Sequence, residues 1–92
     1  MDRQQFYRGR LHEHLDANGD LAPPWEQFPH YERGTIGWRM GAGEDWLSYW
    51  RTFLDSRTPA FEARFAYLKR HSLAPINWED HVYRVLHPLA RE

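Results

Sequence analysis

From Arg3 to Ala17, apolar side chains recur every four positions as Tyr7, Leu11 and Leu15, with Phe6 beside the stripe. Arg3, Gln4, Arg10 and Glu13 fill the other faces, so the spacing predicts a helix over Arg3–Ala17. Asn18-Gly19 follows as a stop, since either residue tolerates the left-handed conformation at a helix end. The next pattern is quite different. Residues 20–42 have neither a helical nor a strand period, and Pro23-Pro24 forbids a helix running across the pair. The stretch is nonetheless rich in large apolar groups: Leu21, Trp25, Phe28, Tyr31, Ile36, Trp38 and Met40. A connection this long is uncommon in a compact domain. With so many large apolar side chains it reads as an ordered loop pinned across the helices by aromatic anchors.

Periodicity returns at Glu44. Trp46, Leu47, Trp50, Phe53 and Leu54 make one broad apolar stripe on a helix over Glu44–Ser56, with Glu44 and Asp45 at the positive end of its dipole. Thr58-Pro59 has the form of an N-cap followed by a proline at the first helical position. This predicts a helix over Pro59–His71 whose inner face is Phe61, Phe65 and Leu68. Asn77 is placed to cap a last helix over Trp78–His87, carrying Trp78, Val82, Val85, Leu86 and Leu89 at helical spacing. Pro88 makes His87 its boundary. The expected fold is all-α: one domain, a bundle of four helices with a long aromatic loop after the first. Its core is expected to hold Trp46, Trp50, Phe53, Phe61, Phe65, Trp78, Val82 and Leu86.

Composition supports that core. Five Trp, five Tyr and five Phe in 92 residues supply the large buried areas a small domain needs. Cysteine is absent, which excludes disulfides, thiolate nucleophiles and cysteine metal sites. The net charge of −1 gives no bulk attraction to nucleic acid or acidic lipid. No apolar run approaches the roughly 20 residues of a membrane span. The amino-terminal Met1–Gln5 lacks the apolar region of a signal peptide. The expected location is therefore cytoplasmic, with no membrane partner. Lys69 stands alone against eleven arginines, a bias that codon usage or a demand for planar, bidentate pairing would produce.

The candidate motifs are weak. Asp16-Ala17-Asn18-Gly19-Asp20 opens like a calcium loop, but position six is Leu21 and position twelve is Gln27. His12 and His14 point about 200° apart on a helix and cannot share a metal. His71, His81 and His87 have no metal-ligand spacing, so no metal and no cofactor is expected. There is no phosphate loop, dinucleotide fingerprint or nucleophile elbow. A pocket near His30, Arg39 and Glu44 is the place where a small enzyme or ligand-binding protein would keep its chemistry. Nucleic acid would require a basic face on the third helix from Arg64, Lys69, Arg70 and Arg57, where Glu62 and Asp55 sit close by and argue for an ordinary solvated surface.

Two segments carry a resemblance. Pro24-Trp25-Glu26-Gln27-Phe28-Pro29 and Ile36-Gly37-Trp38-Arg39-Met40-Gly41-Ala42-Gly43-Glu44-Asp45 are similar to a small family of uncharacterised bacterial proteins. The similarity covers about residues 23–56. It implies a short cytoplasmic protein, some members of the family being encoded near toxin or interbacterial-competition genes, and it carries over no catalytic residue. Gly37, Gly41 and Gly43 would let the backbone turn tightly or approach a partner. Trp38 and Arg39 are residue types that dominate protein interfaces, although Trp38 and Met40 could equally plug the core. The expected function is a non-enzymatic protein-binding module, an inhibitor or immunity-type protein, with Arg33, Trp38, Arg39 and Glu44 facing its partner.

Overall fold

The computed structural model describes residues 3–31 and 38–86, and all of its regular structure is helical. Helix α1 (Arg3–Arg10) tightens into a 3-10 turn over Leu11–His14. A single turn, α2 (Pro24–Gln27), follows, then α3 (Gly41–Arg57) and α4 (Phe61–Lys69). A 3-10 turn over Ile76–Trp78 leads into α5 (Glu79–Leu86).

The first helix ends earlier than its apolar stripe suggests. Leu15 is already extended, and the chain closes a turn in which the Asp16 carboxylate accepts the backbone N–H groups of Asn18 (2.8 Å) and Asp20 (3.0 Å). An aspartate that can satisfy its own neighbours competes with helical hydrogen bonding. Gly19, at φ 80°, supplies the left-handed residue the turn needs. The second surprise is α2. Pro24 cannot sit inside a helix but is well suited to start one, and Phe28 N–H closes the turn on Pro24 C=O at 2.9 Å.

Helix α3 is the centre of the molecule. Its stripe buries Trp46, Tyr49, Trp50, Phe53 and Leu54, and it begins at Gly41, three residues before the expected Glu44. Helix α1 packs on its first half through Tyr7, whose ring meets Tyr49 edge-on at 4.9 Å and whose hydroxyl donates to Asp45 Oδ1 at 2.8 Å. Thr58 acts as the stop of α3 rather than the cap of α4: its backbone N–H and its hydroxyl both donate to Leu54 C=O, at 3.0 and 3.1 Å. Pro59 then prevents continuation, and α4 starts at Phe61.

Helix α4 is rotated away from the expected face. Phe61 and Phe65 are 42% and 45% exposed, while Arg64 and Tyr67 are 3% and 0% exposed. The reason is hydrogen bonding. Arg64 donates to Thr58 C=O (2.7 Å), Val85 C=O (2.7 Å) and Asp55 (3.0 Å), tying α3, α4 and α5 together at a place no phenyl ring could serve. In α5, Val85 is the buried residue, and Val82 packs half-buried against the core. Asn77 lies inside the 3-10 turn, so α5 starts at Glu79 and takes Glu79 and Asp80 as the acids of its first turn. His87, the expected end of this helix, and Leu89 lie outside the described residues.

Candidate functional site

Of the four residues expected at a partner surface, Trp38, Arg39 and Glu44 are among the described residues. Arg33 lies outside the described residues. Trp38 is buried, meeting Trp78 edge-on at 5.3 Å, Tyr31 at 5.4 Å and Phe28 at 5.8 Å. It serves the core and offers no face to a partner. Arg39 is exposed, and Glu44 is half-buried in the first turn of α3. Between them Met40 is 60% exposed, and Gly41 has φ 71°, a conformation glycine adopts at no steric cost. His30 is exposed. The cleft between α1 and α3 and the cleft between α3 and α5 are not lined by His30, Arg39 or Glu44.

A polar network that local sequence signals do not reveal joins the segment before α2 to the end of α4. Asp20 is buried and takes the Arg70 guanidinium in a two-pronged pair, with Nε to Oδ2 at 2.8 Å and Nη2 to Oδ1 at 2.9 Å. His71 sits between two carboxylates, Nε2 at 3.1 Å from Asp20 and Nδ1 at 3.2 Å from Glu26. Glu26 also accepts the Ser72 N–H at 2.8 Å. The Arg70 hydrogen bond, working against burial and helped by His71, holds the Asp20 carboxyl below its ordinary range. Beneath this layer Tyr67 donates to Leu21 C=O and accepts from Trp50 Nε1 at 3.0 Å. Burial pushes the Tyr67 phenol well above its ordinary range, so it stays neutral.

A histidine oriented by a carboxylate invites a catalytic reading, but the hydroxyl beneath this network is already committed to a backbone carbonyl. Oxygen and nitrogen atoms of Asp16, Asp20 and His71 also come within 4.8 Å of one another, close enough to consider a cation. Here both oxygens of Asp20 already meet a guanidinium, and the Asp16 oxygen caps two backbone N–H groups. A cation there would compete with a fixed positive charge. The chemistry this donor set performs is docking: it fastens an irregular segment to the helices. Asp20 and Arg70 are fifty residues apart, so no spacing rule could have paired them.

The basic face that nucleic-acid binding would require on the third long helix is broken up. Arg64 is buried, the Lys69 ammonium lies 5.5 Å over the Phe65 ring, and Arg70 is paired with Asp20. Among the described residues no helix is long and apolar enough to cross a membrane.

The first of the two clefts is an open groove of about 500 Å³ between α1 and α3, with Phe6, His14, Trp46 and Tyr49 along it. The second, about 190 Å³, lies between α3 and α5 and is bordered by Arg51, Arg64, Arg84 and His81. No family model, no curated protein and no solved structure matches this chain.

Proposed function

We propose that this chain is a non-enzymatic protein-binding module, a bacterial inhibitor or immunity-type protein, meeting its partner through Arg39, Met40 and Glu44 at the entry to α3. The observation that supports this reading is the anchoring of Trp38. Its indole is held among Phe28, Tyr31 and Trp78, and the two side chains that follow it are exposed. An arginine and a methionine presented next to a locked anchor start from a backbone that is already placed, which lowers the backbone share of the ordering cost of association. Arginine adds directional pairing with a carboxylate, and methionine an adaptable apolar contact. The resemblance of the segments around Trp25 and Trp38 supplies the inhibitor or immunity-type part of the proposal.

The test compares immobilised wild type with Arg39→Ala and Met40→Ser as baits, alongside thermal melts of each. A specific partner should be retained by wild type, and Arg39→Ala should bind it about tenfold more weakly. Both melting curves should stay unchanged. If Arg39→Ala chiefly lowers the melting temperature and affinity per folded molecule is preserved, Arg39 is an internal strut and this surface is not the interface.

A further inference from the structure

We infer that the cleft between α3 and α5 is an oxyanion site, taking a phosphate or carboxylate group carried on a small flat apolar body. It is built by one face of each helix. Helix α3 contributes Leu47, Trp50, Arg51, Leu54 and Asp55, within about two and a half turns, and α5 contributes His81, Arg84 and Val85. Arg64 of α4 closes the base.

The charges do not balance inside this space. Three guanidiniums face one carboxylate, in a chain whose net charge is −1. Arg64 is pinned by Thr58, Val85 and Asp55, so it is a fixed positive charge that cannot swing out to solvent. Asp55, the acid that pairs with it, has a side chain 53% exposed and is therefore a screened partner. Arg51 and Arg84 stand exposed on opposite helices, and neither has a carboxylate within ion-pair distance among the described residues. Planar forks on two walls of a cleft suit the oxygens of phosphate or carboxylate.

Apolar groups specify the rest of the ligand. The Trp50 ring lies stacked against His81, centroids 5.6 Å apart and planes 19° apart, and Leu54 and Val85 are buried beside it. Trp50 is 2% exposed and its Nε1 is spent on Tyr67, so the apolar surface open to a ligand comes from the half-buried Leu47 and His81 side chains. The volume of about 190 Å³ is below the roughly 300–1,000 Å³ of sites for drug-sized ligands, which limits the occupant to an anionic group and a small body.

Phenyl phosphate and inorganic phosphate are the probes, titrated into 15N-labelled protein at constant ionic strength with sodium chloride as control. The expected result is saturable shifts at the Arg51 and Arg84 Nε–H groups and at the His81 and Trp50 rings. Phenyl phosphate should bind more tightly than phosphate. A double variant, Arg51→Gln with Arg84→Gln, should weaken binding about tenfold or more while melting like wild type, because both side chains are exposed. Shifts that never saturate and spread to Arg8, Arg10 and Arg57 would overturn the site, as would a double variant that binds as wild type does. The cleft shares no residue with the Arg39–Glu44 surface, so either can fail without touching the other.

Discussion

The irregular segment from Asp20 to Tyr31 and the regular helix α4 treat their large side chains in opposite ways. The irregular segment has only one turn of helix, yet Leu21, Pro23, Pro24 and Trp25 are buried. Helix α4 is regular, yet it leaves Phe61 and Phe65 stacked on each other at the surface and turns Arg64 and Tyr67 inward. The difference follows from what each backbone lacks. An irregular chain packed against a core must find partners for its N–H and C=O groups, and here side chains supply them. Trp46 Nε1 donates to Ala22 C=O at 2.8 Å and Tyr67 donates to Leu21 C=O, while Trp25 Nε1 donates to Ser72 C=O at 3.0 Å. Side chains that combine volume with a hydrogen-bonding tip are therefore drawn inside. Among the described residues no buried side-chain nitrogen or oxygen lacks a partner. A phenyl ring has no such tip, and on α4 it is the group left outside.

The sharpest way to break this comparison is Trp25→Ala. Trp25 packs against both Trp50 and Trp78 from a segment with little structure of its own. Its truncation should cost about 3–5 kcal/mol in denaturant melts, as a core aromatic in a regular helix would. A loss below about 1 kcal/mol would mean the segment merely lies over the core.

A smaller effect is expected from Asp20→Asn, about 2–3 kcal/mol at neutral pH, because it removes the charge that holds Arg70 and His71. The pH dependence has a definite sign. The folded-state pKa of Asp20 lies below its ordinary value of 3.8, so its contribution is complete above that value. It is lost as pH falls below 3.8 through the folded pKa. The stability gap between wild type and Asp20→Asn should therefore narrow on acidification. A gap that stays constant down to pH 2 would show that the pair carries no linkage.

The smallest effect belongs to the other side of the comparison. Phe65→Ser removes a large aromatic from a regular helix but from a surface that is nearly half exposed, and should cost less than about 1 kcal/mol. Equilibrium unfolding of this variant beside Trp25→Ala measures the inversion directly. A larger loss from Phe65 than from Trp25 would reverse it.

The helical class was legible from the chain, and so was the central role of α3, because its apolar residues fall on one face and have no competing face. Trp46, Trp50 and Phe53 could be assigned inward from spacing alone, and they are inside. The face of α4 could not. Phe61, Phe65 and Leu68 form one stripe and Arg64 and Tyr67 another, and periodicity fixes which residues share a face without fixing which face turns in. The two roles open to Trp38, core plug or interface residue, also could not be separated locally, since the same indole suits both. Its neighbours Phe28, Tyr31 and Trp78 settle that it plugs the core.

By itself, then, the chain determined its helical class, the break between α3 and α4 at Thr58-Pro59, and the apolar face of its longest helix, since these depend on steric and hydrophobic preferences acting within a few residues. Tertiary structure alone decided the rotation of α4, the burial of Arg64, the Asp20–Arg70–His71–Glu26 network and the meeting of Arg51 with Arg84 across one cleft. The first three rest on matching a donor to an acceptor, or a charge to its opposite, and the last on how α3 and α5 are placed against one another. Such matches leave no local periodicity, because the partner's position is set by packing and not by spacing along the chain.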